Sequence, residues 1–355
     1  MRIRCSEPGR LNYRPMAKAR VSRNPVLVLV LLAVAAALAF LVHVSWGTVS
    51  IPLGEVWGSI FGGEGSNAAI IHSLRLPRAL MAVLAGGLLG IVGSAFQALF
   101  RNPLADPYVM GVSSGAAVGG AIGVVTGFGA AWEGWAGGIG PLVLATAAGL
   151  LSLGLVMSLS TRRGVVEPQT LLLTGVVVGS MLASLLSLIL LWGGNDTTVV
   201  LGWLLGHLTP AYWNRVYLMA IVLLVGGCVM ILHGKRLNML SLGDEVASRL
   251  GVDTRRLKPV VLVTCATMVA VTVGAVGIIG FLGLVAPHIA RRVIGVDWRW
   301  SLAASGLVGS ALLSASDIAA QKIVPNAEVP VGIVTAVIGA PFLVVLLRRG
   351  DSARG

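Results

Sequence analysis

The stretch Leu74–Ala116 reads LRLPRALMAVLAGGLLGIVGSAFQALFRNPLADPYVMGVSSGA. After Arg75 and Arg78 it runs from Ala79 to Phe100 without a charge. At 1.5 Å per residue, such a run is long enough as a helix to cross a hydrocarbon layer about 30 Å thick. RNPLADP (Arg101–Pro107) then breaks it with charge, two prolines and an asparagine, a composition suited to a rigid turn. A second apolar run starts at Tyr108. The reading is span, turn, span.

The whole chain follows this pattern. Its 355 residues are 56% hydrophobic and only 11% charged, with mean hydropathy +0.90. Soluble domains carry about 25% charged residues. Charge-free runs near 25–45, 78–99, 108–127, 140–161, 169–192, 213–233, 258–276, 279–293, 300–321 and 330–347 predict an all-α polytopic membrane protein of about ten transmembrane helices, the eighth the shortest. Residues 25–349 form one transmembrane domain. A basic tail of residues 1–24 precedes it and a short tail of residues 350–355 follows, with Met16 an alternative start. The first run is long for a signal peptide and no A-x-A-like site follows it, so it is read as a retained span.

The net charge of +12 belongs to the membrane, not to nucleic acid. With the N-terminus inside, 22 of the 26 cations fall on inner segments, leaving Arg75, Arg78, Arg215 and Lys322 outside. That asymmetry predicts both termini in the cytoplasm. Trp46, Trp57, Trp132, Trp135, Trp192, Trp203 and Trp213 fall at proposed outer ends, where aromatic belts lie. Gly115, Gly119, Gly123 and Gly127 recur every four residues, a face for close helix packing. Gly274, Gly277, Gly280 and Gly283 recur every three, which suits a sharp reversal between the seventh and eighth spans.

Chemistry of its own is not written into the chain. The three cysteines show no metal or disulfide spacing, and the five histidines are scattered without an H-x-x-x-H pair, so each histidine reads as interfacial or capping. No G-x-x-x-x-G-K-[ST] phosphate loop occurs. No apolar run carries a mid-membrane acid or base, with Asp317 near an outer end, which disfavours an autonomous proton-coupled carrier. The chain therefore reads as a non-enzyme with no cofactor or metal of its own.

One segment is polar where the rest is apolar. SLGDEVASRLGVD lies between the sixth and seventh spans, on the inner side. Ser241 with Asp244 resembles a capping box, Asp244 and Glu245 complement the positive end of the helix dipole, and Gly251 can supply a left-handed stop. Val246, Ala247 and Leu250 share a face. So short a helix needs something to dock on. Composition leaves open whether that is a soluble partner, the chain itself or lipid headgroups.

LRLPRALMAVLAGGLLGIVGSAFQALFRNPLADPYVMGVSSGA, GFLGLVAPHIARRVIGVDWR (Gly280–Arg299) and EVPVGIVTAVIGAPFLVVLLRR (Glu328–Arg349) together resemble the FecCD family, over essentially everything after the basic tail. These are permeases of binding-protein-dependent ABC importers for iron–siderophores, haem and vitamin B12. The resemblance implies a dimer in the bacterial or archaeal inner membrane, two cytoplasmic subunits that bind ATP with magnesium, and an extracytoplasmic binding protein. It implies a coupling helix within 241–256, with Gly243, Asp244, Glu245, Ala247, Leu250 and Gly251 transmitting motion of the ATPase. It implies docking of the binding protein on Arg75 and Arg78; the family's further basic contact reads Gln321 here, with Lys322 adjacent as a substitute. VLGWLLGHLTPAYWN (Val200–Asn214) resembles the family's gating region, which makes Trp203, Leu204, Leu205 and His207 gate candidates. Iron–siderophore, haem and cobalamin all remain as cargo. An autonomous secondary transporter and a membrane scaffold for a soluble enzyme are the rivals from other classes.

Overall fold

The computed structural model describes residues 24–47, 51–60, 67–128, 139–162, 165–194, 196–209, 211–324 and 327–351. The predicted basic tail up to residue 23, Trp132, Trp135, Arg163 and the last four residues lie outside them. Helices follow in the order α1 (Pro25–Ser45), α2 (Leu53–Ile60), α3 (Ala68–Leu99, with a π-helical turn at Ile71–Arg75), α4 (Val112–Val125), α5 (Ile139–Ser160), α6 (Pro168–Trp192), α7 (Asp196–Leu204), α8 (Trp213–Leu240), α9 (Asp244–Arg249), α10 (Thr254–Val276), α11 (Leu282–Ile294), α12 (Trp298–Ala320) and α13 (Val331–Asp351). A two-residue antiparallel pair, β1 (Thr161–Arg162) with β2 (Val165–Val166), interrupts them after α5.

The fold is the predicted all-α membrane architecture. Seven helices, α1, α3, α5, α6, α8, α10 and α12, are long and apolar enough to cross a membrane; α4 and α13 are shorter apolar helices. With the 13-residue α11, each of the ten predicted runs falls on a helix. The short α2 had no counterpart among the predicted runs. It closes a small cluster of Val44, Ile51, Val56, Ile71 and Ala79.

Burial separates the helices into pillar and rim. Most of the apolar window of α3, α10 and α12 is buried, whereas α1 and α6 bury only 11% of theirs. The pillar forms because small residues let backbones meet where side-chain burial gains little in lipid. Among the described residues, α3 and α12 share the most extensive contact. A methyl group on Gly86 would sit 2.6 Å from the Gly309 carbonyl carbon, and one on Gly90 would sit 2.8 Å from that of Ser305. The predicted glycine face of α4 packs in the same way on α5, with Gly115 against Ala148 and Ser152; Gly127 lies past the helix in open space.

The reversal expected near Gly274–Gly283 is a stretch of non-helical backbone, Gly277–Gly280, with Gly277 and Ile279 buried and Ile278 and Gly280 half-buried. Irregular backbone at such depth has to be satisfied by protein. The Tyr108 hydroxyl donates to the Ile279 carbonyl at 2.8 Å and accepts from the Ile279 amide at 3.2 Å. The His207 amide donates to the Val276 carbonyl at 2.9 Å. Pro107 and Asp106 position Tyr108: the Asp106 carboxylate caps the short 3-10 turn Pro107–Met110 by accepting from the Tyr108 amide. The RNPLADP turn is thus the anchor of a break in the helical core.

Candidate coupling, docking and gating sites

The cations gather at one end of the bundle, where α9 lies. Gly243 precedes α9 at φ +118, a conformation open to glycine, and a methyl group there would meet the Arg101 guanidinium at 3.3 Å. The Ser241 hydroxyl does not cap α9. It donates back to the Asn238 carbonyl at 2.7 Å and so closes α8, which corrects the capping-box expectation. The C-terminal end follows the sequence reading. Gly251 takes φ +84; its amide bonds to the Ser248 carbonyl and that of Val252 to the Ala247 carbonyl, each at 3.0 Å, a Schellman closure.

Two residues root α9. Ala247 is fully buried, and the Asp244 carboxylate accepts from Lys258 Nζ at 2.6 Å. Lys258 is 3% exposed at the start of α10 and also donates to the Val166 carbonyl at 3.2 Å. The hairpin β1–β2 therefore serves to hold a buried ammonium under α9. Leu242, Val246 and Leu250 are left exposed, at 65%, 42% and 54%. Glu245 and Arg249 pair across one turn at 2.6 Å with both side chains in solvent. The expectation that Val246, Ala247 and Leu250 share a face is corrected: Val246 and Leu250 are exposed and Ala247 is buried. Ala247 points under the helix because the Asp244–Lys258 pair fixes the rotation of α9, so Ala247 has no surface to offer a partner.

A cavity of about 590 Å³ opens between the ends of α3, α8, α11 and α12, lined by Gln97, Arg101, Asn238, Arg291, Asp297 and Trp298 among others. The Asp297 carboxylate caps α12, accepts from Asn238 at 2.8 Å, and is held down to about 2 in pKa, chiefly by hydrogen bonds from Arg299. Asn238 in turn accepts from the Trp298 amide at 2.9 Å. This exchange locks the end of α8 to the start of α12.

At the opposite end the arginines diverge. Arg75 Nη1 donates to the carbonyls of Val44 and Ser45 at 3.1 and 3.0 Å. Arg78 is 9% exposed and turned inward: Nε and Nη2 grip the two oxygens of Asp317 at 2.8 and 3.1 Å, and Nη1 donates to Glu328 at 2.8 Å. Both arginines line a cavity of about 360 Å³ with Asn67, Thr209, Gln321 and Glu328. Lys322 stands apart, its ammonium 4.3 Å from the centre of the Trp46 ring. Gln321 donates to Asp317 at 2.8 Å. His43, read from sequence as interfacial or capping, is instead 3% exposed and donates to Asp317 at 2.8 Å. The physical reason is that a buried carboxylate needs donors, and α1 supplies one. His43, Asp317 and Glu328 were missed as a group. The topology places all three at one end, but Asp317 and Glu328 lie 239 and 250 residues from Arg78.

The gate candidates sit where three non-helical pieces meet. The outer edge of the Trp203 ring packs on Gly120 of α4, and the Trp203 carbonyl touches the Cβ position of Gly277, which has φ +76. Trp203 and His207 line a cavity of about 410 Å³ with Thr198, Tyr212 and Arg215. Leu204 and Leu205 do not line it; Leu205 is 48% exposed, and its carbonyl abuts Gly332 at the start of α13. Among the described residues no cluster of histidine, cysteine or acids could hold a metal ion.

A model of the FecCD transport family matches residues 31–349. The cobalamin import system permease BtuC of Halobacterium salinarum is 38% identical over 81% of this chain and 76% of its own. The Fe(3+)-citrate import system permease YfmE of Bacillus subtilis is 33% identical over 93% of this chain and 97% of its own. Among solved structures, an ABC transporter assigned to the metal-chelate type, in an inward-facing conformation, superposes with TM-score 0.79 at 27% identity. The match covers 92% of this chain and 99% of that one.

Proposed function

The chain belongs to the FecCD transport family, and we propose that it carries an iron chelate across the cytoplasmic membrane, driven by a separate ATP-binding subunit that docks on α9. Its place among the permeases of metal-chelate, haem and cobalamin importers follows from the family and its relatives. The observation that carries the finer reading is the presentation of α9. It is rooted by Asp244, Lys258 and Ala247, and it offers Leu242, Val246 and Leu250 to solvent at the cation-rich end. An apolar patch on a rigidly held polar helix suits a soluble partner rather than an anionic headgroup layer, because Asp244 and Glu245 oppose the latter.

In this reading the cation-rich end faces the cytoplasm. Binding of ATP-Mg in the partner moves α9, and the bundle carries that motion to Trp203 and the loop behind α7. A binding protein delivers cargo to the opposite end, where Arg75 and Lys322 are the outermost basic contacts. Arg78, held by its own carboxylates, is less available. A second copy of the chain completes the path; α6 displays Leu173, Val177 and Met181 at 58% exposure or more for that contact or for lipid. The chain hydrolyses nothing itself.

Cargo is chosen by the binding protein, so the permease needs only a wide, weakly interacting path. Cobalamin is the second reading, favoured by the halobacterial relative. Uptake into proteoliposomes holding this chain, its ATP-binding subunit and its binding protein tests the choice, with ferric citrate, a ferric siderophore, haemin and cyanocobalamin as probes. ATP-dependent accumulation of an iron chelate is expected. Accumulation of cyanocobalamin alone would move the assignment to corrinoids, and uptake of iron without ATP would overturn the importer reading.

A further inference from the structure

Asp317 is 1% exposed in the last turn of α12, yet its carboxylate is saturated. One oxygen takes His43, Arg78 Nε and Gln321, each at 2.8 Å; the other takes Arg78 Nη2 at 3.1 Å. The remaining arm of Arg78 reaches Glu328, whose side chain is 35% exposed. The second oxygen of Glu328 accepts from the Thr209 hydroxyl at 3.3 Å. The chain of bonds runs from α1 through α12 and α3 to the segment before α13, and ends on the segment Leu205–Thr209 that follows α7. Within that segment the Leu205 and Gly206 amides bond back to the Leu201 and Trp203 carbonyls of α7, at 3.2 and 3.0 Å; beyond α7, and apart from Thr209, the segment is held by the backbone bond from His207 to Val276 and by the buried Leu208.

The network is asymmetric. The Arg78–Asp317 fork is deep and two-pronged, and it stays intact whether or not Glu328 is engaged. The Glu328 arm is single-pronged and opens to water, so it is the place where the network can let go without leaving a charge buried and unpaired. We infer that Glu328 is a positioning residue: through Arg78 and Thr209 it clamps the Leu205–Thr209 segment to the rigid α3–α12 pillar, and release of this clamp frees the segment next to Trp203. Arg78 is then the fixed post of an internal latch rather than a docking contact. The inference rests on the gate reading only for its consequence in transport. The clamp itself is a property of this chain.

Hydrogen–deuterium exchange of the full chain in detergent tests it without any partner. Glu328→Gln and Thr209→Val are each expected to speed exchange of the 205–209 amides by about five-fold or more, the scale of a modest coupling. Amides of α9, at the other end, should be unchanged. Glu328→Asp, which keeps the charge, should restore most of the protection. Native exchange at 205–209 in both variants would overturn the clamp. So would a rise shared equally by α9 and α12 in Thr209→Val, since that is general loosening. Absence of transport in the wild-type chain would instead count against the importer reading and leave this result standing.

Discussion

Replacing Gly90 with valine is expected to leave little folded protein. The side chain would be built 2.8 Å from the Ser305 carbonyl carbon, and the obstacle is backbone, which cannot swing aside as a flexible side chain can. The neighbouring contact, Gly86 on Gly309, sits one turn earlier on the same face and prevents local tilting. Overpacking a tight interior costs about 1–3 kcal/mol when side chains can adjust. Here α3 and α12 must separate, so the loss is expected at or above about 3 kcal/mol, the range in which single changes unfold proteins. Gly154→Ala is the control, because nothing lies within 4 Å of the new methyl and the helix gains propensity. Thermal unfolding in mild detergent should show a large drop for the first and none for the second. Equal melting of the two would mean that α3 and α12 are not in backbone contact.

The second large effect is expected at the root of α9. Asp244→Ala removes the carboxylate from a lysine that is 3% exposed. Breaking a buried pair from one side costs about 3–5 kcal/mol, because the other charge stays behind. Asp244 is itself 41% exposed and Lys258 keeps the Val166 carbonyl, so the lower part of that range applies. The double variant Asp244→Ala with Lys258→Met removes both charges and keeps the volume of the stem. It should recover most of the loss, short of about 1 kcal/mol for the Val166 carbonyl left without its donor. A thermal double-mutant cycle reads this directly. Additive losses would contradict a buried pair.

The span pattern, the cation asymmetry and the glycine stop at Gly251 were legible in the sequence because each is local: a run of apolar residues, a charge between runs, a residue with one permitted conformation. What failed was whatever depends on rotation or on distant partners. Val246 and Ala247 are neighbours, and only the Lys258 contact decides which of them faces out. Ser241 had two possible carbonyl and amide partners, and the end of α8 took it. The partners of Arg78 were not legible because its carboxylates lie more than two hundred residues downstream. The break at Gly277–Gly280 was legible as a turn, but not that a tyrosine in RNPLADPY would fill its hydrogen bonds.

The reading of α9 as a lever is tested most directly by affinity purification of the full chain from its own host in mild detergent. The variants should carry their changes on the exposed face, Val246→Glu and Leu250→Glu, since a change at Asp244 disturbs Lys258 and the fold with it. A stoichiometric ATP-binding subunit that accompanies the native chain and is lost from both variants, while their thermal unfolding stays native, is the result expected. An ATP-binding subunit that stays with both variants, or a native chain that purifies without one, would contradict the assignment of α9 as the coupling helix.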